Sequence, residues 1–246
     1  MMKDSDMNQT SDSLETLCTQ SPLPEQAFLD GVCFREREPQ TIIDTIIIHS
    51  CHVPDGVRSA ERALINEAKS NAGSWENAVK GLSEQWKKTA DTRFEFAALL
   101  ALLEGRAAVS KDATILQQFS VAGVKCLFEF YGVSAHFIVD RSGKVFQLIN
   151  PEQLAFHAGV SKIPHDGRER ANGFSIGIEL LADESSGYTA EQTQSLVKLC
   201  DALTKRFPIE AIYGHSDIAP GRKTDPWEFK WQSFLGALAR APKFHP

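Results

Sequence analysis

The 246-residue chain is 42% apolar and 24% charged, ordinary proportions for a globular protein with a full core of its own. A net charge of −6 excludes binding to nucleic acid through a broad basic face, while leaving room for a local cationic pocket. Five cysteines, an odd number with no CxxC pair, argue against a disulfide framework or a thiolate zinc knuckle and fit a reducing compartment better.

Residues 1–40 open with the polar run MMKDSDMNQTSDSLETLCTQ and pass through Pro22, Pro24 and Pro39, which predicts a weakly structured, partly flexible lead-in. No apolar run there is long or clean enough for a membrane span or a signal-sequence core. The expected location is the cytoplasm, or the periplasm if an export signal has been removed. The main domain is expected over 41–246. It begins with TIIDTIIIH (41–49), whose β-branched density predicts a buried strand delivering His49 at its C-terminal end.

From 58 to 130 the texture changes to Ala, Glu, Lys and Leu. Phe96, Leu99, Leu100 and Leu103 share one helical face, and Gly73, Gly81 and Gly105 punctuate the stretch. Several helices are predicted, the last covering about 114–131, as an insertion directly after the first strand. Strand character returns at 135–140 and 144–149 around an Arg141-Ser142-Gly143 turn, a hairpin by pattern. A short strand at 154–157 and a loop at 159–172 lead to a central strand at 174–181. Thr189 is the expected N-cap of a helix reaching about Phe207. The segment 208–213 then leads to Gly214 and His215, a loop runs to Pro226, and a closing helix extends to about Ala239. This alternation predicts an α/β fold: a mixed central β-sheet flanked by helices.

The loop YGHSDIAPGRKTDP (213–226) gathers His215, Asp217, Arg222, Lys223 and Asp225 among glycines and prolines. A metal is one reason for such a gathering. Zinc takes imidazole nitrogen and carboxylate oxygen, and catalytic sites use three protein ligands beside an open position. His49, from the strand end, completes a His/His/Asp set with His215 and Asp225. Spacing alone leaves another reading open, in which these histidines are hydrogen-bonded scaffolding, and no HExxH signature is present.

Five stretches, in this order, settle the preference: TIIIHS (45–50), SAHFIVDRSGKVFQLI (134–149), AFHAGVS (155–161), GRERANGFSIGIEL (167–180) and GHSDIAPGRKTDP (214–226). Together they resemble the AmpD-like N-acetylmuramoyl-L-alanine amidases, a zinc amidase family related to phage lysozyme-type amidases and peptidoglycan recognition proteins. The resemblance covers most of 41–57 and 131–240. It implies Zn2+ held by His49, His215 and Asp225, Glu179 as the acid–base residue that takes a proton from the attacking water, and Lys223 as the cation opposing the developing oxyanion. It also implies that His157 lines the substrate cleft or supports a ligand, and that His136 supports the sheet. Arg168, Arg170 and Asn172 read equally as binders of stem-peptide carboxylates or as a solvated loop.

The implied reaction is hydrolysis of the amide between N-acetylmuramic acid and L-alanine, with 1,6-anhydro-muropeptides of cell-wall recycling as the expected substrate. The alternatives are an exported enzyme of the same chemistry acting on intact peptidoglycan, and a non-catalytic peptidoglycan-binding module. The complete set of five site residues opposes the last. The expected partner is therefore a muropeptide or peptidoglycan, not nucleic acid, and the oligomeric state is left open. Two departures from the family stand out. A long helical interval separates His49 from His136, expected to form a lid beside the site, and Trp227 follows Asp225-Pro226 where the family usually carries glycine.

Overall fold

The aliphatic, β-branched segments of the sequence form the sheet, and their alternation decides which helices lie on each side of it. The computed structural model describes residues 18–20, 33–54 and 59–246. Two short strands, β1 (Cys18–Gln20) and β2 (Phe34–Glu36), precede β3 (Thr45–Cys51). Helices α1 (Ser59–Ala72), α2 (Trp75–Thr89) and α3 (Thr92–Ser110) follow, then a 3-10 turn (Ala113–Leu116) and α4 (Val121–Tyr131). The chain returns through β4 (Phe137–Val139), β5 (Val145–Gln147) and β6 (Gln153–Ala155) to β7 (Ser175–Leu181). It ends with α5 (Ala190–Arg206), β8 (Ala211–Gly214), the single turn α6 (His215–Ile218) and α7 (Trp231–Ala237).

Six strands form a mixed sheet in the order β1-β5-β4-β7-β3-β8, parallel throughout except for the β4–β5 hairpin. Strands β2 and β6 make a separate antiparallel ribbon. The expected α/β architecture is therefore the observed one. On β3, Ile46 and Ile48 point to one face and pack with Leu196, Leu199 and Leu203 of α5 and Phe234 of α7. Helix α5 starts where the sequence predicts, with Thr189 and Gln192 forming a reciprocal capping box.

The other face carries the helical insertion. Ile138 of β4 and Leu181 of β7 belong to the same buried cluster as Ile65, Val79, Leu82, Leu99, Leu103 and Phe128, so insertion and sheet share one continuous core. Helix α3 departs from the single apolar face its spacing suggests. Ala97 through Leu103 are buried without a gap, because α3 packs against α1, α2 and α4 and is the central helix of the insertion. The insertion is tied down where β3 ends: Val53 N donates to the Gln118 carbonyl, and a Cβ on Gly123 would sit 2.4 Å from Val53 Cγ2.

Three element boundaries differ from expectation. The last insertion helix starts at Val121, because Ser120 caps it after the 3-10 turn. The closing helix is confined to Trp231–Ala237. The expected flexible lead-in is also shorter at its C-terminal side. Phe34–Glu36 is paired with β6, and Arg37 donates hydrogen bonds to the carbonyls of Pro151, Asn172, Gly173 and Ser175, stitching this segment to the loops beside β7. Most of that lead-in, 1–17 and 21–32, lies outside the described residues. Among the described residues, no helix is long and apolar enough to cross a membrane.

Candidate active site

The alternation that sends Ile46 and Ile48 to the α5 side sends Ile47, His49 and Cys51 to the insertion side. Register places His49 directly beside Glu179 of β7, and Ile48 beside Gly214 of β8. The chain leaves β8 into α6, so His215 emerges at the same end of the sheet. Gly214 N donates to Asp217 Oδ2 at 2.7 Å, and a Cβ on Gly214 would meet Pro226 Cδ at 2.7 Å. Glycine at 214 thus lets the following loop fold back over the strand end, where Ser216 N donates to the Asp225 carbonyl at 2.7 Å and closes it. Asp217, one of the charged residues of this loop, is used in that brace.

The outcome is a buried trio. Asp225 Oδ2 lies 3.2 Å from His215 Nδ1 and 3.7 Å from His49 Nδ1, and one donor atom from each residue falls within 4.8 Å of the other two. Donor atoms on a tetrahedral zinc with bonds of about 2.0–2.1 Å are separated by about 3.3 Å, so this spacing suits that ion. Two imidazoles with one carboxylate are also the ligand chemistry zinc prefers.

Electrostatics agree with a cation at this point. Burial pushes His49 down to about 4, which keeps its ring neutral and able to donate a lone pair. Burial works against ionisation of Asp225, but the hydrogen bond with His215 and the approach of the His49 ring outweigh it and hold the carboxyl well below the usual range. Glu179 is pushed up to about 8, first by burial and then by the negative charge of Asp225. Its Oε2 is buried and has no hydrogen-bond partner among the described residues. An orphaned carboxylate oxygen beside a buried anionic trio is what a divalent cation and its water would satisfy. Lys223 stands exposed two residues before Asp225, and its charge reaches both His49 and Glu179.

The remaining expected site residues divide. His157 lies on the far side of His49 from Asp225, with its Nδ1 2.9 Å from His49 Nε2. Burial holds it well below the ordinary imidazole range. Its buried ring lies between His49 and the Gly177 backbone of β7. Asn172 serves as a loop brace: its Oδ1 accepts from the backbone N–H groups of His157 and Ala158 at 3.1 and 2.7 Å. His136 is structural, accepting from Gly177 N at Nδ1 and meeting the Gln153 carbonyl at Nε2. Arg168 is not brought to the trio. It pairs with Asp44 and Asp166 at the entry to β3, the end of that strand opposite His49.

Arg170 is exposed and lines a groove of about 460 Å³ with Gly159, Lys162, Ile218, Pro220 and Arg222. Arg222 links this groove to the trio, donating to the Ala158 carbonyl that also lies 3.4 Å from His215 Nε2. Trp227 packs edge-on to His52 with ring centroids 6.2 Å apart. Sequence reasoning left Arg222, Lys162, Ser175 and Gly177 without roles. The one local signal available was the glycine inside the aliphatic strand SIGIELL, which marks a close approach without naming what approaches; the structure shows it to be the ring of His157.

Residues 39–228 match the N-acetylmuramoyl-L-alanine amidase family. The chain belongs to that family. The bounds of the match enclose His49, Glu179, His215 and Asp225. Among relatives, the chain is 46% identical over 105 residues to the 1,6-anhydro-N-acetylmuramyl-L-alanine amidase AmpD of Citrobacter freundii, covering 42% of this chain and 55% of that protein. It is 47% identical over 109 residues to AmpD of Enterobacter cloacae, covering 43% and 57%. The chain thus spans little more than half the length of these relatives. The crystal structure of a selenomethionine AmpD derivative superposes with a TM-score of 0.54 at 26% identity, covering 90% of this chain and 94% of that one.

Proposed function

We propose that the protein is a zinc-dependent amidase that cleaves the amide between 1,6-anhydro-N-acetylmuramic acid and the L-alanine of a stem peptide, acting in cell-wall recycling in the cytoplasm. The observation that carries this reading is the convergence of His49, His215 and Asp225 beside the buried Oε2 of Glu179, which has no hydrogen-bond partner among the described residues.

His49, His215 and Asp225 would hold the ion. Zinc bound there supplies Lewis acidity toward a water molecule and toward the scissile carbonyl. Glu179 takes the proton of the attacking water and returns it to the departing amine of L-alanine. A carboxyl whose proton affinity is raised toward neutrality by burial suits both halves of that transfer. Lys223 opposes the negative charge that develops on the carbonyl oxygen. The carbon–nitrogen bond breaks, leaving a lactyl carboxylate on the sugar and a free amine on the peptide. The groove bearing Lys162, Arg170 and Arg222, with Glu169 its single acidic residue, fits the carboxylates of a stem peptide. The relatives named above act, by their names, on the 1,6-anhydro form, which favours a small recycled substrate over the intact wall.

Incubation with anhydro-muropeptide and with whole sacculi, followed by mass spectrometry, tests the reading. Free stem peptide is expected from the muropeptide and little from sacculi. Efficient release from sacculi with the muropeptide left intact would instead favour an exported amidase.

A further inference from the structure

A buried chain of hydrogen bonds runs away from the trio. His49 Nε2 lies 2.9 Å from His157 Nδ1. His157 Nε2 lies 3.2 Å from Ser175 Oγ, and that hydroxyl donates to the Ala171 carbonyl at 2.6 Å. His49, His157 and Ser175 are all buried.

The direction of every proton follows from the last member. A carbonyl only accepts and a serine hydroxyl has one proton, so at 2.6 Å that proton is committed to Ala171. Ser175 therefore meets His157 with a lone pair, which requires N–H at His157 Nε2. A neutral imidazole that holds its proton at Nε2 presents a lone pair at Nδ1, and that atom faces His49 Nε2 at 2.9 Å. Facing that lone pair, His49 must be protonated at Nε2. The remaining nitrogen of His49, Nδ1, is left with its own lone pair. It stands 3.7 Å from Asp225 Oδ2, beyond hydrogen-bond reach and inside the ligand cluster.

We propose that His157, backed by Ser175, is a positioning residue that fixes the tautomer of His49 and so makes Nδ1 the metal-binding nitrogen. The inference rests on the metal reading above. Space for it is built into β7. A Cβ at Gly177 would sit 2.4 Å from His157 Cγ and 2.6 Å from its Nδ1, so only glycine lets the ring lie against the strand. The ring of His157 meets that of His49 at an interplanar angle of 87°, an edge-on approach between two imidazoles whose orientations hold each other. Partners of this kind fix the ring and raise the basicity of a ligating histidine, and losing one typically weakens metal binding about 10- to 100-fold.

Long-range 1H–15N spectra of the zinc-free protein, with His49 assigned by its loss in His49→Ala, are expected to show the proton on Nε2. In chelator competition, His157→Phe is expected to bind zinc about 10- to 100-fold more weakly than the wild type. His157→Asn, whose Oδ1 can accept in place of Nδ1, is expected to recover most of that loss. A His49 ring protonated at Nδ1, wild-type zinc affinity in His157→Phe, or an Asn variant no better than Phe would each overturn the proposal. A wild-type protein that takes up no zinc would defeat the metal reading instead, while the zinc-free spectrum would still judge the tautomer.

Discussion

Asp225 and Glu179 are both buried carboxyls within one site, yet their surroundings push them in opposite directions, and that separation supports the different roles proposed for them. Asp225, hydrogen-bonded to His215, stays ionised and is suited to ligation. Glu179, desolvated and beside that negative charge, gains proton affinity and is suited to acid–base work. Asp225→Ala is therefore expected to lose zinc and turnover together. Glu179→Gln should keep stoichiometric zinc and lose about 10²- to 10⁴-fold in kcat. Elemental analysis with steady-state kinetics checks both, and a fully active Glu179→Gln enzyme would remove the proposed proton transfer. His136 allows a separate test outside the trio. Burial pushes it down to about 3, so its fold-stabilising contribution is present above the ordinary histidine value of 6.5 and is lost as pH falls from there toward 3. Between pH 7 and 5 this amounts to about 2 kcal/mol. Urea denaturation should show the wild type losing about that much more than His136→Asn, and parallel losses would contradict the assignment.

At the scale of elements, the site depends on the register of β3 and β7, which sets His49 beside Glu179, and on β8 handing His215 to the same end of the sheet. Both strands were legible from their aliphatic runs, and the hairpin and α5 from the Arg141-Ser142-Gly143 turn and the Thr189 cap. The helices at 59–131 were legible as helices, but not their packing. A continuous apolar run in α3 reads as one face of a helix until it is known that three other helices surround it. Long-range polar contacts were equally hidden. Nothing local to Arg37 announces four carbonyl partners in loops beyond residue 150, and nothing local to Arg168 announces that Asp44 neutralises it away from the site. The insertion shares its core with the sheet, so it is expected to be part of the folding unit and not a detachable lid. Leu103→Ala, at a fully buried position of α3, should cost about 2–5 kcal/mol and lower the midpoint of a single unfolding transition. A separate, earlier transition confined to the helices would show that the insertion folds on its own.

For the molecule as a whole, a net charge of −6 coexists with a cationic groove at one end of the sheet. That asymmetry shows how an acidic overall composition still permits an anionic substrate. The motifs that carry His49, Glu179 and the His215–Asp225 pair lie on different elements, and the fold brings those residues together at one end of the sheet. The central claim is that this trio holds the zinc that makes the chain an amidase. The most direct measurement follows release of stem peptide from anhydro-muropeptide by protein stripped of metal and then titrated with zinc. The account predicts no release from the stripped protein and full recovery at one zinc per chain, with neither uptake nor recovery in Asp225→Ala. Undiminished release from protein shown by elemental analysis to be metal-free would contradict it.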